Sequence, residues 1–375
     1  MQYRVFPAPS SSLPPAAGFE DLNLEQLWQR RSYKWARYPR PVIAAWVAEM
    51  DYPVAAPVRN ALQDLVDRSD WGYPPHMEYL TLGQTVAQWA RERLSWPVDA
   101  DAVFALGDAL KGMELVLKTQ IPTGSGVVIM PPVYYPFFTI PQQTGHVAVE
   151  VPLRQSEGRW HMDLDRLESV LRGAQGGPPV RALLLCHPHN PTGTVFDDGA
   201  LGDLAALCSR YGVTVISDEV HGLLELQRAA RWRPFSLYHP DQEQVYTVTS
   251  AAKAWNLAGL KAGLLIAHGA KARQRIGALA HRFKSGASLP GLVTLEAALR
   301  DGHPWLDDCR EHLRGRAAQV AQAVASWPTE VGFAPPDASY LAWLHLPGLR
   351  EKMPQGGTLR DFFLREAQVA LSDGS

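Results

Sequence analysis

The chain has 375 residues, 46% of them hydrophobic and 20% charged, an ordinary globular composition and too long for one small core. With 36 basic against 38 acidic residues the formal net charge is −2, so no global field favours nucleic acid or an anionic membrane surface. Three scattered cysteines (Cys186, Cys208, Cys309) make no disulfide framework and fit a reducing, cytoplasmic compartment. The N-terminus shows no continuous apolar leader, and no apolar run approaches the roughly 20 residues that cross a bilayer.

In chain order, residues 8–17 are rich in Pro, Ser and Ala and read as a flexible arm. From about residue 100 short β-rich runs recur: Val127–Met130, Ala182–Cys186, Val213–Ser217, Val245–Thr249 and Ala262–Ala267. They are apolar on consecutive residues, as expected of strands buried on both faces of a parallel sheet. Helical stretches lie between them. Residues 197–212 place Leu201, Leu204, Leu207 and Cys208 on one face, with acids in the first turn and Gly212 as a stop. The repeated strand–helix–strand order predicts an α/β domain with right-handed crossovers. "PTGSG" at 122–126 looks phosphate-like but precedes a strand, so it reads as a turn. From about 285 the pattern changes to long helices and then to "ASYLAWLHL" (338–346), which alternates like a strand. The expected division is an N-terminal arm and part of a small domain over 1–45, a large domain over 46–284, and a small α+β domain over 285–375.

Ligands of open α/β sheets sit beyond the carboxyl ends of the strands, so the residues after each run are the informative ones. "PPVYYPF" (131–137), "HPHNPTG" (187–193), "DEVH" (218–221) and "SAAK" (250–253) deliver an aromatic ring, an amide, a carboxylate and a lysine to one crevice. A lysine held in such a site forms a Schiff base with a carbonyl. Asp218 there needs a cationic partner, which a protonated pyridine nitrogen supplies. Asn190 can donate to a phenolate oxygen, and Tyr134 can lie against a heteroaromatic ring. A phosphate is served by the Ser250 hydroxyl, by the amides of Ala109 and Leu110 where a helix starts after Gly107, and by the Lys261 cation. Together these features match pyridoxal 5′-phosphate (PLP) bound through Lys253.

Bland readings compete at each position. A lysine after a strand is usually a surface charge, Asp218 with Glu219 can be a helix N-cap pair, and one of Tyr134 and Tyr135 is expected to be a packing aromatic. "CHPHN" suggests a metal, but no second ligand cluster stands at zinc spacing, so no metal is assigned. His221, three residues after Asp218, is either a satisfied core histidine or a residue that supports the cofactor.

The motifs resemble the fold-type I PLP enzymes of the class I/II aminotransferase superfamily, in the branch of cystathionine β-lyases and C–S lyases called the MalY/PatB group. "AAWVAEMDYPVAAPV" (44–58), "WGYPP" (71–75), "PPVYYPF", "HPHNPTG", "SDEVHGLL" and "SAAKAWNLAGLKAG" carry the resemblance, which runs from about residue 20 to the end. "HNPTG" is shared widely across the superfamily. The "WVAEMDY" and "SDEVH" segments point to the branch, with Glu49 standing where the family usually has Asp.

The resemblance implies a PLP-dependent transferase-like fold with a mostly parallel sheet flanked by helices and a smaller α+β domain. It implies that Lys253 holds PLP and removes the Cα proton, and that Asp218 keeps the ring nitrogen protonated. It also implies a homodimer with shared sites, in which Tyr73 reaches the neighbouring subunit's cofactor phosphate; read alone, Tyr73 is a turn aromatic before Pro74. β-Elimination from L-cystathionine or a cysteine S-conjugate and amino transfer to a 2-oxo acid use the same residues, so the motifs leave both open, along with a regulatory protein of weak catalysis. The resemblance favours elimination. Relatives carry an arginine for the substrate carboxylate past the segment matching "VALSDGS". The sequence ends at Ser375, so the expectation is a shortened C-terminal segment with weak turnover, and no other arginine can be assigned to the role from sequence.

Overall fold

The computed structural model describes residues 18–19, 22–76, 80–156, 158–174, 176–227, 231–279, 285–327, 331–351, 353 and 357–374. The arm read over 8–17 and the terminal Ser375 lie outside the described residues. Contacts divide the chain into two compact units, 55–345 and a smaller one formed by 1–54 with 346–375. Residues 285–345, assigned to the small domain from sequence, group with the larger unit. Helix α7 (Leu289–Asp301) packs there on α1 (Ala56–Asp67) and α2 (Leu82–Leu94), and α8 (His303–Ala325) follows it.

A seven-stranded sheet forms the centre of the larger unit. Its strands are β1 (Val103–Leu106), β2 (Gly126–Ile129), β3 (Val147–Glu150), β4 (Val180–Cys186), β5 (Thr214–Asp218), β6 (Val245–Thr249) and β7 (Gly263–Ala267), in the spatial order β1-β7-β6-β5-β4-β2-β3. Pairing is parallel from β6 through β5, β4 and β2 to β3, whereas β7 runs antiparallel to both β1 and β6. The five runs expected from sequence are thus all strands, and the sheet is mostly parallel.

Consecutive apolar residues arise because each strand feeds two cores. Val127, Ile129, Leu184, Ile216 and Val248 join α3 (Ala109–Gln120) and α4 (Pro136–Gln143) on one face. Val128, Leu183, Leu185 and Val215 join α5 (Asp198–Tyr211) on the other. Asp197 caps α5 by accepting the Ala200 N–H, and Gly212 closes it at φ 65°. Gly112 lets α3 lie close on the sheet, since a Cβ there would sit 2.7 Å from Val248 Cγ1.

The alternation at 338–346 does not become a strand. Leu344–His345 pairs with Gly332–Phe333 and Ala338 makes an isolated bridge to Glu225, while Ser339 between them takes a left-handed φ of 76° that breaks an extended run. In the smaller unit Ile43–Ala44 pairs in parallel with Val369–Ala370 over a core of Leu27, Trp35 and Ala44. Asp51, in the "AEMDY" segment, is its polar anchor. Lys34 Nζ and Trp35 Nε1 donate to its carboxylate at 2.6 and 2.7 Å. No helix among the described residues is long and apolar enough to cross a membrane.

Candidate active site

Three adjacent strands bring the chemistry together. Asp218 ends β5, in register with Cys186 at the end of β4 and with Val248 on β6. By alternation it continues the face of Ile216, toward α3 and α4. No helix starts at Asp218. Its Oδ1 accepts the Val220 N–H at 3.2 Å within a turn, which sets aside the N-cap reading. The carboxyl is buried, and burial pushes it from 3.8 up to about 7, against the opposing pull of that N–H and of the Lys253 charge. Lys253 lies on α6 (Ala251–Ala254), the short helix that follows β6, half-buried and within electrostatic reach of both Asp218 and His221.

The neighbouring loops close around this pair. Tyr134 N–H donates to the Asn190 carbonyl at 3.1 Å, and Asn190 N–H donates to Cys186 Sγ at 3.3 Å, which ties the backbones of both residues to the end of β4. Burial raises the Tyr134 phenol, with Asp218 and Asp108 adding to the rise. Neither Tyr134 nor Tyr135 is a core aromatic: their exposures are 40% and 73%, and Phe137 fills the core instead. The sequence places both tyrosines in the first turn after β2, where side chains leave the sheet.

His221 is fully enclosed. Its Nδ1 lies 2.9 Å from Ser339 Oγ, and its Nε2 has no hydrogen-bond partner among the described residues. Burial, then Lys253, then His189 hold the imidazole down at about 3, so the ring is neutral. His187 and His189, the residues that suggested a metal, are buried and neutral too; the first stacks on Phe196 and the second meets Thr192 Oγ1 at 2.9 Å.

A second corner forms where β1 and β6 end and β7 begins. Asp108 caps α3, accepting the Lys111 N–H at 2.9 Å, and the first helical residues are Ala109 and Leu110. Lys261 Nζ stands 3.1 Å from Asp108 Oδ2, with both side chains largely exposed. Gly263 is required here, because a Cβ would sit 2.5 Å from the Asp108 carbonyl carbon. Ser250 joins through its own bonds: Oγ accepts the Ala252 N–H at 3.0 Å and donates to the Ala262 carbonyl at 2.6 Å. A helix N-terminus, a cation and a hydroxyl therefore converge, a donor set that suits a phosphate. The hydroxyl must rotate off Ala262 to join it.

Tyr73 stands apart from these residues within the chain, 99% exposed beside Trp71 at 62%. Asp108 and Ser339 were not found from sequence. The first left a signal, an aspartate just ahead of a helix. The second left none, since its contact with His221 spans 118 residues.

The aminotransferase class I and II family model matches residues 46–375. A Mycobacterium leprae relative is 36% identical over 370 residues, covering 95% of this chain and 89% of its own. The cystathionine beta-lyase PatB of Bacillus subtilis is 30% identical over 335 residues, covering 88% and 83%. The crystal structure of the PLP-bound C-S lyase from Staphylococcus hominis, 22% identical, shares the fold with a TM-score of 0.82 over 95% of this chain and 91% of that one. The chain belongs to the class I and II aminotransferase family.

Proposed function

We propose that this protein is a PLP-dependent carbon–sulfur β-lyase that cleaves L-cystathionine or related cysteine S-conjugates to a thiol, pyruvate and ammonia. The observation that carries the reading is the meeting of two strand ends: the buried Asp218 carboxyl at the end of β5 lies within electrostatic reach of Lys253, which follows β6. Similarity to PatB over 88% of the chain supports the lyase outcome.

The residues fit PLP at both ends. Lys261, Ser250 and the α3 amides of Ala109 and Leu110 would hold the phosphate. Asp218, raised to about 7 for want of full compensation, would gain a cationic partner at the ring nitrogen. Tyr134 and Asn190 would bound the ring, and His221 would support it. When bound, PLP supplies the electron withdrawal that makes the substrate Cα–H acidic. As a free amine, Lys253 Nζ would take that proton, the Cα–H electron pair would become a Cα=Cβ bond, and the Cβ–S pair would leave with the thiolate. Asp218 would be held ionised by the ring nitrogen's proton, and the buried neutral histidines add no competing charge.

The exposed Trp71–Gly72–Tyr73 loop supports a homodimer in which Tyr73 completes the partner's site. Three buried free cysteines support a cytoplasmic setting. The test is a side-by-side assay of the purified protein with PLP. Pyruvate release from L-cystathionine is expected to exceed amino transfer to a 2-oxo acid. Transfer without pyruvate release would replace the lyase with an aminotransferase, and neither would sink the enzymatic reading.

A further inference from the structure

We propose that Ser339 is a positioning residue whose hydroxyl holds His221 in the tautomer with its proton on Nε2, keeping a fixed neutral N–H donor beside Lys253. The proposal rests on the reading above that Lys253 is the centre of the site.

Ser339 is 1% exposed and holds a left-handed φ of 76°, a conformation that suits glycine far better than serine. Observed backbone strain at a buried position argues for a local function when the surroundings over-determine it. They do so here. Ser339 N–H donates to the Leu224 carbonyl at 2.8 Å, and Ala338 N–H donates to the Gly193 carbonyl at 3.0 Å. The loops leaving β5 and β4 thereby clamp the turn from both sides, and Glu225 forms a β-bridge with Ala338. The strained turn aims the serine hydroxyl at His221 Nδ1, 2.9 Å away.

Two directions of that hydrogen bond differ in what they leave unmet. If Nδ1–H donated, the hydroxyl hydrogen and the Nε2 lone pair would both be left without a partner in a buried place. If the hydroxyl donates, only Nε2–H is left over, for an acceptor that the described residues do not supply. The groups that face the ring are Lys253 from α6, His189 from the loop after β4, and Tyr340, whose ring centroid is 6.3 Å away. On its own segment stand Asp218 and Glu219. Burial, Lys253 and His189 all oppose an imidazolium, so the ring serves as a neutral donor rather than a proton carrier.

The experiment is imidazole 15N spectroscopy of the PLP-loaded protein, with the His221 signals assigned by their loss in His221→Gln. The wild type is expected to show a protonated Nε2 and a bare Nδ1. Ser339→Gly removes the hydroxyl while relieving the backbone, so it keeps the fold. It is expected to lose the single tautomer and to move the pH midpoint of the cofactor's visible band by about half a unit or more. A wild-type ring protonated on Nδ1 would overturn the proposal. So would a folded, PLP-binding Ser339→Gly protein with unchanged ring signals and midpoint. A protein that never takes up PLP would defeat the functional reading instead, and the tautomer measured in the colourless protein would still decide the role of Ser339.

Discussion

Replacing Asp218 by Asn is expected to stabilise the cofactor-free protein and to weaken the cofactor-bound one. The carboxyl is buried, and its pKa climbs on folding from 3.8 to about 7. A group that binds its proton more tightly when folded loses native stability as pH rises from its unfolded value, and the loss is complete above the folded one. A rise of about three units corresponds to about 4 kcal/mol at pH 8 and almost nothing at pH 4. Asparagine has the same shape and no charge, so the apo variant should gain up to about 4 kcal/mol at pH 8 and little at pH 4. Glu219, raised to about 8 by burial with a contribution from the Asp218 charge, is relieved in the same direction. His187, His189, His221 and His268, held near 3 to 4 by burial, lose stability in acid in both proteins, and comparison at equal pH removes their effect. Urea unfolding of apo wild type and variant across pH 4 to 8 measures the difference. With saturating PLP the order should reverse, because only the carboxylate pairs with a ring cation. An apo difference that does not grow with pH would show that Asp218 is not the strained acid described here.

Lys261→Ala should raise the PLP dissociation constant about fivefold without altering the far-UV spectrum, the worth of one exposed ionic contact; an unchanged constant, read by absorbance titration, would remove Lys261 from the phosphate corner. Gly263→Ala forces a Cβ against the Asp108 backbone 2.5 Å away, and should cost about 1–3 kcal/mol in urea unfolding and weaken PLP binding together. A stable Gly263→Ala protein of normal affinity would mean that α3 yields freely. Mixing Tyr73→Ala with Lys253→Ala subunits should restore part of the lyase activity, since one site of each mixed dimer carries neither lesion. Verified mixed dimers without recovery would argue for self-contained sites.

Much of the large sheet was legible because burial on both faces writes itself as consecutive apolar residues. β2, β4, β5, β6 and β7 all announce themselves this way. The same physics hides direction: a buried antiparallel strand such as β7 reads like its parallel neighbours. β1 and β3 went unnoticed: they are the two edge strands, and β3 leaves Val147 and Glu150 exposed, so it lacks the consecutive apolar signature. The alternation at 338–346 misled because Ser339 and Ala338 are fixed by loops more than a hundred residues away, through Leu224 and Gly193 respectively. Local sequence carries no trace of such a clamp. The strand-end residues were legible for a topological reason, since parallel strands deposit their carboxyl ends on one edge. The structure brings Asp218, Lys253, His221, Asn190 and Tyr134 together there, with Ser250, Lys261, Ala109 and Leu110 at the adjoining corner.

The buried acids and histidines are costly to fold when the site holds no ligand, and that cost has a use. Free energy lost by ionising Asp218 in a dry pocket is recovered when a cation arrives beside it. The more the fold raises that carboxyl, the more a ring nitrogen that keeps its proton gains by binding. His187, His189 and His221 sharpen the preference, because they stay neutral and offer the carboxylate no alternative cation. Lys253 lowers the Asp218 pKa only partly, and once Nζ is engaged in chemistry its charge changes. A ligand with a fixed cation at the Asp218 end and an anion for Lys261, Ser250 and the first amides of α3 therefore meets complementary groups at both ends. Stability and cofactor affinity draw on the same strained carboxyl, so a substitution that relieves it must trade one for the other.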